Sequence, residues 1–284
     1  MKRFKAQQIY FALIMLILGV LLITGCGSGG DNGGISVERG KVLGAVCVGA
    51  GCVDLGKADD FVILAKTTIT DANLSTITGN IGLSPGAGTA IKVTCPEMTG
   101  KIFTVDATYV LADVSCVKPG PGANKTFVDN AVSDMGTAYT DAAGRPHGTG
   151  ATNLNVGSGT LNGQNFVPGT YTWDTPGDVD ITGDITITGS ATDVWIFQMS
   201  GNLTLDSKGS VPTGVKVLLA GGAQASNVFW QVGGGAGATL GTYSTFNGII
   251  LSAKDVIIQH GAVLTGRAFA DAQVTLDAND ITAP

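Results

Sequence analysis

Charge is scarce in this chain: only 13 % of its 284 residues are Asp, Glu, Lys or Arg, and histidine occurs twice, as His147 and His260. Aromatics make up 6 %. With 16 basic against 22 acidic groups and no basic cluster in the body of the chain, nothing here suits a phosphate backbone, and nucleic acid is excluded as a partner. No apolar run of membrane length follows residue 23. Cys47, Cys52, Cys95 and Cys116 contain no CxxC pair and have no nearby histidine, so a zinc site is not expected. The run Gly233-Gly234-Gly235-Ala236-Gly237 lacks the Lys-Ser/Thr ending of a phosphate loop. Asp178, Asp180 and Asp184 have no Glu at EF-hand spacing and read as solvated turn residues. No metal or cofactor is expected.

What is plentiful is glycine, 43 residues, beside an apolar fraction of 44 %. That balance suits a tightly wound β protein rather than a disordered one. The N-terminus reads as a targeting signal: Lys2, Arg3 and Lys5 precede an apolar stretch from Ile9 to Ile23, then Thr24, Gly25 and Cys26. Residues 1–25 resemble the signal peptide of bacterial lipoproteins, whose lipobox cysteine would here be Cys26. That resemblance implies a lipid-anchored, exported protein, with no Asp after Cys26 and hence the outer membrane or cell surface as its place. Removing residues 1–25 takes away three basic groups and moves the net charge from −6 to −9. Residues 26–53 follow as a lipidated cysteine and Gly-rich tether. The remaining cysteines allow three connectivities, of which the simplest is Cys47 with Cys52 and Cys95 with Cys116.

Residues 54–284 read as one domain large enough to bury a substantial core. Ala238-Thr239-Leu240 recurs as Val256-Ile257-Ile258 and as Val274-Thr275-Leu276, and Gly248 recurs as Gly266, always at the eighteenth position onward. Upstream, Ile185-Thr186-Ile187 recurs at the same step as Leu203-Thr204-Leu205. Short alternating segments at this period predict an all-β solenoid whose turns stack. Alternation points Ile185, Leu203, Leu240 and Leu276 inward, and Thr186, Thr204, Thr239 and Thr275 outward as a ladder, interrupted by Ile257. The gap from Thr204 to Thr239 is one short of two such steps, which predicts an intervening coil near Val215–Leu219 with one shortened corner. A second column in the same register is Thr192, Ser210 and Thr245. Residues 91–122, with two cysteines and three of the nine prolines, read as an irregular cap or insert. Residues 125–143 predict the one helix, with Phe127, Ala131, Val132, Met135, Ala138, Tyr139 and Ala142 on one stripe and Asn124 or Thr126 as its cap. That stripe should cover strands that lack polar alternation, namely Val194–Phe197, Val228–Trp230, Ile249–Leu251 and Ala268–Ala270, and with them two tryptophans.

Several stretches resemble the microbial ice-binding family once filed as a domain of unknown function. They are Ser226–Val232 (SNVFWQV), Gly237–Gly241 (GATLG), Gly266–Ala268 and Val274–Asp277. Ile77–Gly82, Ala138–Arg145 and Pro168–Tyr171 match in the same order, so the likeness spans roughly residues 55–284. It implies a discontinuous right-handed parallel β-helix of triangular section with one long α-helix alongside, the N-terminal coil inserted beside later ones. It further implies an ice crystal surface as partner, met by a flat Thr/Ser-rich β-face away from the helix, with recrystallisation inhibition or attachment of cells to ice as the outcome, and a monomer. Members that carry the T-A/G-x-T/N motif on that face differ from this chain. Thr78-Gly79, Thr182-Gly183, Thr188-Gly189, Thr213-Gly214 and Thr265-Gly266 have no Thr or Asn at the fourth position. Asp206, Lys208, Tyr243 and His260 flank the ladder. The rival readings are a surface adhesin or structural lipoprotein on the same solenoid, and an enzyme. Polysaccharide-cleaving β-helices need clustered acids and bases, and no such group is legible here, so no enzyme is expected.

Overall fold

The computed structural model describes Cys47 and residues 51–175, 177–207 and 213–284. Its strands are short and parallel, and they wind into coils with three faces, here called a, b and c. Each coil places inward side chains against those of the coils above and below. The lumen is consequently a continuous apolar core running from Ile69 and Ile91 at one end to Leu161 and Phe166 at the other. Within it Tyr171, Phe197 and Trp230 stack in sequence, with ring centroids 5.4 and 4.0 Å apart.

The coil order is not the chain order. Along face a the strands run Gly169–Trp173, Trp195–Met199, Val228–Val232, then the latter parts of Thr245–Ser252 and Val263–Ala270. Phe61–Ala65 comes next, paired Ile63 to Ala268, and is followed by Asn80–Leu83, Ile102–Thr104 and Val117–Lys118. The chain therefore begins in mid-stack, winds to one end, crosses back as a helix, and rewinds from the far end until its last coil meets its first. Residues 91–122 are not an insert. Ile91 bridges to Ile69 on face b, Met98 bridges to Ile77 on face c, and Ile102–Thr104 pairs on face a, so this stretch is a terminal coil with degenerate strands. It covers strand edges that would otherwise be open.

Helix α1 (Ala123–Gly144) is the returning segment. Its 22 residues span about 33 Å, comparable to the roughly 38 Å of nine stacked strands. Val128, Ala131, Val132, Met135, Ala138 and Ala142 are buried; Phe127 and Tyr139 pack at the margin. They cover Leu64, Ile196, Phe229, Ile249, Leu251 and Phe269 on face a. The two tryptophans expected beneath the helix, Trp195 and Trp230, point into the lumen instead, because their neighbours Ile196 and Phe229 take the outward positions. Neither expected cap acts as one: Gly122 is the N-cap, and Asn124 Nδ2 donates to the Pro119 carbonyl. At the other terminus Gln198, itself buried, donates from Nε2 to the carbonyls of Ala142 (2.8 Å) and Arg145 (3.0 Å), satisfying groups a helix end leaves open. The disulfides are Cys47–Cys52 and Cys95–Cys116.

Candidate functional site

Face b follows face a in each coil and is a separate seven-stranded sheet, whereas α1 packs along face a. In spatial order its strands are Thr160–Leu161, Val179–Ile181, Leu203–Leu205, Ala238–Leu240, Val256–Ile258, Gln273–Leu276 and Thr68–Asp71. In the three-residue strands one side chain stands outward between two that point into the lumen, while Gln273–Leu276 and Thr68–Asp71 add a second outward pair, Gln273 beside Thr68. The register aligns those outward residues as Thr160, Asp180, Thr204, Thr239, Ile257, Thr275 and Thr70. Six interstrand steps make a column about 29 Å long. Thr70 Oγ1 lies 3.4 Å from Thr275 Oγ1, so these two hydroxyls of the column meet directly.

Thr204, Thr239 and Thr275 thus share one column, and Thr186 does not belong to it. Thr186 lies on face c, paired with Asn165 and Leu218, whereas the strand stacked on Leu203–Leu205 is Val179–Ile181. The sequence match between Ile185–Ile187 and Leu203–Leu205 therefore relates two different faces. Nor does a coil intervene between Thr204 and Thr239, which pair directly. Val217–Ala220 is a face c strand within that one long coil. Of the second column, Thr192 and Thr245 do not stand in register. Thr192 sits in a turn, its hydroxyl 3.4 Å from that of Ser190. Thr245 opens the strand Thr245–Ser252 on face c, paired with Val263. Ser210, Lys208 and Cys26 lie outside the described residues.

Sequence reasoning missed Thr70, whose strand belongs to the first coil and docks out of chain order, and Thr160, whose coil is not an 18-residue step from the next. It also missed an alignment on face c, where Thr78, Thr282, Thr265 and Asn247 are in register. Beside it Thr76, Asp280, Val263 and Thr245 form a parallel, partly charged row. Two stretches do satisfy the T-A/G-x-T/N pattern, Thr137–Thr140 and Thr149–Thr152, but the first is helical and the second lies in the loop after α1.

The corners that border face b are held by hydrogen bonds between successive coils. On the edge toward face c, Thr242 N donates to Ser207 Oγ (2.7 Å), Asn279 Nδ2 to the Gln259 carbonyl (2.8 Å), and Asn73 Nδ2 to Asp277 Oδ1 (2.6 Å). Asn73 and then His260 hold the Asp277 carboxyl below the usual carboxylate range. On the other edge Gln273 Nε2 donates to Asp255 Oδ2 at 2.9 Å. These ladders fix the strands between them, so the threonine column is supported by a backbone with little freedom to lose on contact. Along the column stand hydroxyls, one aliphatic side chain, Ile257, and one exposed carboxylate, Asp180.

The match to known proteins follows the same span. The family model described as ice-binding-like matches residues 63–282. An ice-binding protein of Colwellia sp is 41 % identical over 249 residues, covering 88 % of this chain and 89 % of its own. One from Flavobacterium frigoris (strain PS1) is 42 % identical over 236 residues, covering 82 % and 76 %. Among solved structures, the ice-binding protein LeIBP from an Arctic yeast aligns with a TM-score of 0.71 at 32 % identity, over 82 % of this chain and 94 % of its own. The DUF3494 domain of Shewanella frigidimarina ice-binding protein 1 aligns with a TM-score of 0.65 at 27 % identity, over 81 % and 97 %. The chain belongs to the ice-binding-like family.

Proposed function

We propose that this protein adsorbs to ice through face b, without enzymatic activity, as a monomer. The observation that carries the reading is the register that brings Thr204, Thr239, Thr275 and Thr70 into one outward column on an uncovered, rigidly cornered sheet. Threonine offers a methyl group and a hydroxyl at each step of the ladder, and water held between such groups can match a solid water surface without any single tight contact. Many weak contacts then sum to lasting adsorption because the plane is already ordered. Asp180 and Ile257 interrupt the column.

The cellular reading follows from the N-terminus. Lipidation at Cys26 would hold the protein at the outer membrane or cell surface, where adsorption would attach the cell to ice or act on ice close to it. Incorporation of labelled fatty acid, lost in Cys26→Ser, tests the anchor. For the site, residues 27–284 should inhibit ice recrystallisation at micromolar concentration. Thr239→Tyr with Thr275→Tyr should abolish it by raising two bulky rings out of the column, whereas Thr186→Tyr on face c should leave it intact. Normal grain coarsening with the unaltered protein would reject ice adsorption; loss only with Thr186→Tyr would reject face b.

A further inference from the structure

At the capped end, the corner from face b to face c holds two carboxyl groups, Glu97 buried and Asp71 partly so, with no cation paired to them among the described residues. Asp71 ends the edge strand Thr68–Asp71, and Glu97, 6 % exposed, ends the short turn Cys95–Glu97 in the terminal coil stacked on it. Both converge on a single N–H. Ser75 N donates to Asp71 Oδ2 at 2.9 Å and to Glu97 Oε1 at 3.4 Å, which brings the two carboxyl groups against each other. Two ionised carboxylates so placed would repel, since each is only an acceptor, and a proton on one lets it donate to the other. Their remaining oxygens are occupied. Thr94 donates to Glu97 Oε2 from its amide (2.6 Å) and its hydroxyl, and Asn73 N donates to Asp71 Oδ1 at 3.3 Å.

The titratable groups around the pair offer no compensation. Tyr109 follows in the terminal segment, its hydroxyl donating to the Val93 carbonyl at 2.7 Å, and burial together with the charges of Glu97 and Asp113 raises it. Asp277 lies across Asn73, tied to it and to His260. Neither Asp71 nor Glu97 has an ion-pair partner among the described residues.

We propose that Asp71 and Glu97 share one proton and so form a pH-sensitive latch that clamps the terminal coil onto the edge strand of face b. Backbone bonds flank the latch, Lys92 N to the Ile69 carbonyl (2.8 Å) and Thr99 N to the Ile77 carbonyl (3.0 Å), and the corner between them depends on the carboxyl pair. The disulfide Cys95–Cys116 closes the terminal segment on itself and does not tie it to the coil beneath.

The direction of the effect follows from linkage. Burial first, and then the bond to Glu97, push Asp71 up to about 6. Burial would raise Glu97 as well, but the hydrogen bonds from Asp71 and Thr94 outweigh it, and the net displacement is downward. A carboxyl group raised in the folded state stabilises it fully below its unfolded value, about 3.9. That contribution is lost as pH rises through the folded value. Glu97, displaced the other way, contributes above its unfolded value of about 4.3 and is lost as pH falls. Between about pH 5 and about pH 7.5 Glu97 therefore changes little, and Asp71 decides the sign: the latch weakens as pH rises.

Amide hydrogen exchange on the full chain tests this at about pH 5 and about pH 7.5, with intrinsic rates removed. Protection of Lys92 and Thr99 should fall about tenfold across that interval, while that of Ala238–Leu240, far from the corner, should not. Asp71→Asn keeps a neutral donor toward Glu97 and should leave Lys92 and Thr99 protected at both pH values. Protection in the unaltered protein that does not change with pH, or the same fall in Asp71→Asn, overturns the proposal. Should Asp71→Asn fail to fold, carboxyl-carbon NMR of the unaltered chain decides. A midpoint for Asp71 near 6 supports the shared proton, and one at about 3.9 overturns it.

Discussion

At the seam between the last coil and the first, Arg267 is 1 % exposed; its guanidinium donates to the Phe61 carbonyl and to Asp59 Oδ1 at 2.7 Å. Burial lowers its basicity and Asp59 opposes that shift, while Nε has no partner among the described residues. Arg267→Ala would strand Asp59 and the Phe61 carbonyl, and should cost about 3–5 kcal/mol in denaturant unfolding. Arg267→Met, which keeps the packing, should cost less. One residue earlier, a methyl group on Gly266 would stand 1.8 Å from the Gly248 carbonyl oxygen, and Gly248 itself has φ +126° with Trp230 behind it. Gly266→Ala should therefore destabilise by more than the roughly 1 kcal/mol of an ordinary Gly replacement. Both glycines were visible in the sequence recurrence; the close approach that demands them was not, since it is a contact between coils.

At the scale of elements, the helix was legible from its apolar stripe. What it covers was not. A strand with apolar residues on both sides tells a reader that both faces are buried, but not which face meets the helix and which the lumen, and Trp195 and Trp230 turn inward. Phe269, fully buried under α1, should cost about 3–5 kcal/mol when changed to Ala. The half-exposed Thr239→Ala should stay within about 0.5 kcal/mol in the same measurement. Gln198→Ala removes the donor that serves the Ala142 and Arg145 carbonyls and the oxygen that accepts from the Thr172 hydroxyl at 2.7 Å. A loss of about 1–3 kcal/mol is expected, with the last turn of α1 exchanging its amides first.

At the scale of the whole molecule, the stack order decides how long the outward column is. Because the first coil docks on the last, Thr70 extends the run that Thr204, Thr239 and Thr275 begin, past the aliphatic Ile257. Ile257→Thr would give five consecutive threonines, and should improve recrystallisation inhibition at a stability cost of about 1 kcal/mol or less, since both residues are good strand formers. Unchanged or weaker inhibition would show that the column is not the adsorbing surface.

By itself the sequence determined the elements: short alternating segments broken by glycine make parallel coils, one amphipathic stretch makes the helix, and the even recurrence through Thr239, Ile257 and Thr275 sets the last coils of face b. Those are local or strictly periodic signals, and side-chain alternation reads them directly. Only the tertiary structure decided which elements are neighbours. Along face b the column passes through Thr160, Asp180, Thr204 and Thr239 at unequal steps, becomes regular only through Ile257 and Thr275, and then jumps to Thr70. A fixed period therefore finds the last coils and misassigns the earlier ones. Interstrand hydrogen bonds require matching φ/ψ and an open edge, not nearness in the chain. Thr70 and Thr275, from nearly opposite ends of the domain, can share a rung, while Thr186, in perfect sequence register with Thr204, stands on another face.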